Sequence, residues 1–324
     1  MKKVSLVVFI LVGIFAVASM ATYTIAFVPK LVGIPYFTAM QEGGDAAASA
    51  LNVKFIYTGP TTASVEGQIQ VINNLITEGV NAIAVSANDP VSLVPIMQKA
   101  MSKGILAMAA DSDVATPGRK IFVEQARSKD LGYALMDETA KYLGGKGYFA
   151  IISGGETATN LNEWIMYLKE DLKNYPDIHL ATIRYAGESI SGAEQAAAEI
   201  MEAFPQVKVL VGMNSTASPG AAAAIKLLHK VGQVVTIGIT DPILMKQYMK
   251  EGLSPACVLW NPRDLGYLTV WAAVQLLEGK TLPANTEINV PGITEKPTYD
   301  PQTGILLLGA PLVYTPKTVD QYNF

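Results

Sequence analysis

Lys30, Asp111, Asp113, Asn160, Asn162, Asn214, Asp241 and Trp260 share a position in the sequence: each closely follows, or closes, a short apolar run. Tyr36 and Phe37 lie on the same stretch as Lys30 and add two aromatic rings. In open α/β sheets the carboxyl ends of the strands form the binding crevice, so these residues converge if the runs are parallel strands. Carboxylates and amides grip vicinal hydroxyls through lone pairs and N–H groups, and aromatic faces cover the C–H side of a ring. The inventory suits a neutral, polyhydroxylated small molecule. Asp, Asn, Ser and Thr after a strand also serve as helix N-caps. For Thr159, Asn160, Ser218 and Asp241 capping explains the residue as well as ligand contact does. Tyr36 and Phe37 fit the core of a first helix equally well. For Lys30, Asp111 and Trp260 capping explains little. Asp111 ends the buried-looking run 105–110 and should emerge at the crevice mouth, with Asp113 nearer a hinge.

Catalytic constellations are missing. Gly144-Gly-Lys-Gly147 has the wrong spacing for a phosphate-cradling loop, and Gly187-Glu-Ser-Ile-Ser191 lacks the last glycine of a nucleophile elbow. The two histidines, His179 and His229, are isolated, and Cys257 is the single cysteine. No metal, no cofactor and no internal disulfide are expected.

The elements that must position these residues alternate. Candidate strands cover 23–28, 53–57, 82–85, 106–109, 148–152, 179–184, 207–211, 234–239 and 256–260. Amphipathic segments between them cover 65–76, 91–101, 131–142, 164–172, 193–203, 221–229 and 265–277. Continuous apolar strands separated by helices imply parallel sheets covered on both faces. A chain of 324 residues exceeds one typical domain. The expected architecture is therefore two doubly wound α/β lobes. The turn-rich stretch 113–123 and a return near 260–263 mark the crossings. After Gly279 the rhythm stops, and a proline-studded tail finishes the sheets. The expected division is 22–122 plus 261–290 for one lobe and 123–260 plus 291–324 for the other.

Composition agrees with a folded, exported protein. Half of the residues are hydrophobic and 16% are charged, far from the disordered regime. A formal charge of −4 gives no basic footprint for nucleic acid. Met1-Lys2-Lys3, the apolar run 4–18 and Ser19-Met20-Ala21 have the form of a signal peptide cleaved after Ala21. An uncleaved anchor is the alternative, although the run is short for a membrane span. No cysteine stands at the cleavage site to carry a lipid.

Longer motifs carry a family resemblance. The stretch from Tyr57-Thr-Gly-Pro to Asn73-Asn-Leu-Ile76, followed by Ala82-Ile-Ala-Val-Ser-Ala-Asn-Asp-Pro90, resembles periplasmic sugar-binding proteins of the ribose-binding type, the receptors of ABC importers. Within that type it resembles the branch holding rhamnose-binding proteins and autoinducer-2 receptors. Thr157-Ala-Thr-Asn-Leu-Asn-Glu-Trp164 and Trp260-Asn-Pro-Arg-Asp-Leu-Gly-Tyr267 are more similar to the rhamnose side. The resemblance implies the type I periplasmic binding fold with a multi-segment hinge. It further implies a monosaccharide ligand, a membrane permease as partner, a monomer, and an extracytoplasmic, periplasmic location. It carries ligand roles onto Lys30, Asp111, Pro219 and Ala221. The Asp-Gln pair of autoinducer-2 receptors is replaced by Asn160-Leu161, and the Asp-Arg pair of ribose-binding proteins by Asp111-Ser112, which favours a different sugar. Trp260 stands where ribose-binding proteins carry a glutamine. A transcription regulator of the same fold would need a helix-turn-helix where the apolar leader stands, and an enzyme would need the missing constellations.

Overall fold

The computed structural model describes residues 22–324, and the leader expected over 1–21 lies outside them. The first half runs β1 (Thr24–Val28), α1 (Pro35–Leu51), β2 (Lys54–Tyr57), α2 (Val65–Glu78), β3 (Ala82–Val85), α3 (Val94–Ser102), β4 (Leu106–Ala110) and β5 (Ile121–Ala126). The second runs α4 (Ser128–Leu143), β6 (Gly147–Ser153), α5 (Thr159–Asp171), β7 (Ile178–Tyr185), α6 (Ile190–Ala203), β8 (Val207–Gly212), α7 (Ala217–Leu227), β9 (Val235–Gly238), α8 (Pro242–Lys250) and β10 (Cys257–Leu259). α9 (Pro262–Leu277) returns to the first sheet, and β11 (Thr298–Asp300), β12 (Ile305–Gly309) and β13 (Leu312–Tyr314) close the chain.

Both sheets wind alike. The first has the order β11-β12-β5-β4-β3-β1-β2, parallel except for the β11–β12 hairpin. The second has β7-β6-β8-β9, extended by a bridge from Ile239 to Val258 onto the antiparallel β10–β13 pair. In each, the order reverses beside the opening strand, β1 or β6. That is where a doubly wound sheet leaves a crevice at its carboxyl edge. Two-fold alternation along the strands divides the first core. Ala26, Val28, Ile83, Val85, Ala107 and Ala109 pack under α2 and α3. Ile25, Phe27, Ala82, Ala84, Met108 and Ala110 join the larger core on the opposite face.

Local signals place the helices. Ser64 accepts the Gly67 N–H at 3.1 Å to start α2, and Asn261 accepts the Arg263 N–H at 3.0 Å to start α9 behind Pro262. α1 and α9 cross closely because Gly43 and Gly266 face each other's helix. A Cβ on Gly43 would collide with the Arg263 carbonyl, and one on Gly266 with the Met40 carbonyl. No helix among the described residues is long and apolar enough to cross a membrane.

Two boundaries differ from the sequence reading. The stretch expected to end the first lobe at residue 122 runs on as β5, which pairs with β4 as far as Val123 and with β12 as far as Ala126. The segment 291–324, expected wholly in the second lobe, splits: β12 pairs in parallel with β5, and only β13 joins the second sheet. Leu306 and Leu308 are buried against the first sheet, so apolar burial decides the side that polar loops left open. The chain thus passes between the sheets three times, after β5, after β10 and after β12.

Candidate ligand-binding site

Where the carboxyl edges of the two sheets face each other lies a cavity of about 330 Å³, counting the open space at its mouth. From the first sheet come Lys30 after β1, Ile34, Tyr36 and Phe37 at the start of α1, and Asp111 after β4. From the second come Asn160, Leu161 and Trp164 on α5, Glu188 after β7, Asn214 and Ser215 after β8, and Ile239 after β9. Trp260, on the crossing after β10, closes one side.

Asp111 anchors the first half. Its φ of 69° is left-handed, a conformation that aspartate tolerates better than most residues. It is 3% exposed, yet both oxygens are used: Oδ1 accepts the Tyr36 hydroxyl at 2.9 Å and Oδ2 the Ser86 hydroxyl at 2.5 Å. Trp260 Nε1 donates to the Tyr36 oxygen at 3.1 Å, which completes a relay from indole to phenol to carboxylate. Burial pushes the Asp111 carboxyl up, while the Lys30 charge and the two hydroxyl bonds partly restrain it. Burial first, then the Asp111 charge, holds the Tyr36 phenol well above its ordinary range.

Lys30 reaches across. It is 3% exposed, donates to Asn160 Oδ1 at 3.0 Å and stands 3.7 Å from Glu188. Thr157 adds a hydroxyl bond to the Asn88 carbonyl at 3.0 Å. The two lobes therefore touch across the cavity, a closed arrangement. Tyr36 and Trp260 meet edge to face at 5.8 Å, and Trp164 also packs against Trp260, at 5.7 Å. One cation, Lys30, faces two carboxylates, Asp111 and Glu188. Such a site is hostile to an anion and well supplied with acceptors for hydroxyls.

The structure brings together Lys30, Tyr36, Phe37, Asp111, Asn160, Asn214 and Trp260. It takes the other candidates elsewhere. Asp113 is held by a bidentate pair with Arg119, at 2.7 and 2.8 Å, and opens on an adjacent cleft with Glu124 and Glu163. Asn162 is exposed and braces its own loop by donating to the Glu156 carbonyl at 2.8 Å. Pro219 and Ala221 are buried inside α7, because the helix starts at Ala217 and turns them inward, leaving Asn214 and Ser215 at the cavity. Asp241 lies beyond the cavity wall, fully buried, with neither oxygen hydrogen-bonded. Capping divides these groups: Asn160 Oδ1 accepts the Leu161 N–H at 3.0 Å in the first turn of α5 as well as the Lys30 bond, whereas the Asp241 side chain makes no cap bond and Ser218 Oγ is wedged against Gly212 and Gly238. Glu188, Trp164, Leu161, Ser215, Ile34 and Ile239 complete the wall without having stood out in the sequence. No cluster of three metal-ligating side chains occurs among the described residues.

Two similar doubly wound lobes, joined by three crossings and closed over a polar, aromatic-walled cavity, define a clamp-type solute receptor. Residues 25–281 match the periplasmic binding protein domain, and the chain belongs to that family. It is 25% identical over 283 residues to the D-ribose/D-allose-binding protein of Pseudomonas aeruginosa, covering 84% of this chain and 86% of that one. Among solved structures it is similar to an ABC transporter solute binding protein from Clostridium phytofermentas with bound L-rhamnose. That match has 30% identity and a TM-score of 0.88 and covers 93% of this chain and 98% of that one. It also shares its fold with LsrB from Clostridium saccharobutylicum in complex with AI-2, at 24% identity and a TM-score of 0.86, covering 93% of this chain and all of that one. These relatives are receptors that hold solutes, not enzymes.

Proposed function

We propose that this chain is the extracytoplasmic receptor of an ABC importer for a neutral monosaccharide, L-rhamnose or a sugar close to it. The observation that carries the reading is the cavity itself, in which Lys30 bonds across to Asn160 beside two carboxylates and the rings of Tyr36, Phe37, Trp164 and Trp260. Carboxylates and amides from both lobes take the hydroxyls, and the rings take the C–H faces and a methyl substituent. Contacts made by both lobes at once stabilise only the closed form, so ligand shifts the open–closed equilibrium. The closed receptor then presents the sugar to the permease, as a monomer, after export by the cleaved leader. In this reading the moving bodies are 22–126 with 262–309, and 128–259 with 312–324.

The test is a thermal-shift panel on protein refolded from denaturant, which strips co-purified ligand. L-rhamnose, D-ribose, D-allose and autoinducer-2 form the panel. A ligand at a hundredfold excess over its Kd stabilises by about 2.7 kcal/mol, a resolvable shift. L-rhamnose or a near relative should give the largest rise. A response to autoinducer-2 alone keeps the clamp and replaces the sugar. A response to none of them contradicts the reading.

A further inference from the structure

Two polar atoms on the second-lobe wall lack partners. Glu188 has a side chain 6% exposed. Its Oε2 accepts from Asn214 Nδ2 at 2.7 Å, and Asn214 is fixed in turn by accepting the Ala217 N–H at 2.9 Å. Its Oε1 is buried with no hydrogen bond, and Lys30 at 3.7 Å is too far to supply one. Gly154 backs this carboxylate: a Cβ there would lie 2.7 Å from Oε1. Trp164 is 1% exposed, its ring is held edge-on against Trp260, and its Nε1 is buried without an acceptor. Both residues line the cavity. Buried donors and acceptors are almost always paired, so an unpaired one of each on a cavity wall marks where a ligand bonds. Lys30 stands 3.7 Å from Glu188 and its charge also acts on Asp111, so a single cation serves two carboxylates and the wall keeps a surplus negative charge to which Glu188 contributes.

Building on the neutral-sugar reading above, we propose that Glu188 and Trp164 determine the specificity of the cleft. Glu188 Oε1 accepts a ligand hydroxyl, Trp164 Nε1 donates to a ligand oxygen, and the surplus charge excludes sugars that carry a carboxylate or phosphate. The pair selects a hydroxyl-bearing, uncharged edge on the side of the ligand that faces the second lobe.

The test is calorimetric titration of wild type, Glu188→Gln and Trp164→Phe, each refolded. The probes are L-rhamnose, or whichever panel sugar wild type holds more tightly, and the aldonic acid of that sugar. Glu188→Gln should weaken the neutral sugar by about tenfold or more and narrow the preference over the acid, because the repulsion is gone. Trp164→Phe keeps an aromatic face but loses the donor together with part of the indole's volume, so it should weaken both probes and leave the preference unchanged. A merely structural Glu188 would move both probes alike. Where Glu188→Gln does not fold, Glu188→Asp keeps the charge and draws the acceptor back, and it should weaken the neutral sugar while leaving the preference over the acid in place. Variants that bind within about twofold of wild type, with the same preference, overturn the proposal. Wild type that binds no sugar overturns the functional reading and this proposal with it.

Discussion

Asp111 shows how much one residue can do here. The sequence placed it at a crevice mouth because a buried strand ends one residue earlier, and Lys30, Tyr36, Asn160 and Trp260 were legible on the same argument. What the sequence did not display is that Asp111 is already the acceptor for Ser86 and Tyr36. Asp111→Ala should therefore weaken sugar binding at least about tenfold, roughly 1.4 kcal/mol. It should also lower the stability of the closed form by about 1–3 kcal/mol, since two buried hydroxyls lose their acceptor. Calorimetry and the urea midpoint read the two effects, and unchanged affinity would make the residue purely structural. Asp241 offers a second test. Burial raises its carboxyl to about 7, well above an unfolded aspartate near 4. The folded state therefore holds the proton more tightly, and stability falls as pH rises through that window. Asp241→Asn should melt higher than wild type at pH 8 and converge with it near pH 4. A constant offset across that range would contradict the assignment. Glu188 and Trp164 stayed hidden because Gly-Glu-Ser reads as a turn and a tryptophan on a helix reads as core.

At the scale of elements, continuous apolar runs made most strands legible, and strand ends located the cleft. β5 escaped because a turn-rich stretch leads into it and Glu124 and Gln125 interrupt its apolar pattern. The division of the tail escaped for a different reason: which sheet a short strand joins is decided by distant packing, not by its own residues. The α1–α9 crossing is equally nonlocal. Gly266 reads as an ordinary helical glycine, yet the Met40 carbonyl occupies the place of its Cβ. Gly266→Ala should cost about 1–3 kcal/mol by overpacking despite better helix propensity. A urea midpoint equal to or above wild type would show that the two helices separate freely.

For the molecule as a whole, three crossings and one cleft amount to a hinge with a latch. Lys30 bonds Asn160 and faces Glu188 across the cleft, so in the proposed clamp these are the contacts that opening would break. They are polar and few, which suits an equilibrium that a small ligand can tip. The most direct measurement is small-angle X-ray scattering of refolded protein with and without saturating L-rhamnose, or the panel sugar bound most tightly. The account predicts a smaller radius of gyration with sugar, approaching that of the closed structure. An unchanged radius, with binding confirmed by calorimetry on the same sample, would contradict enclosure between moving lobes.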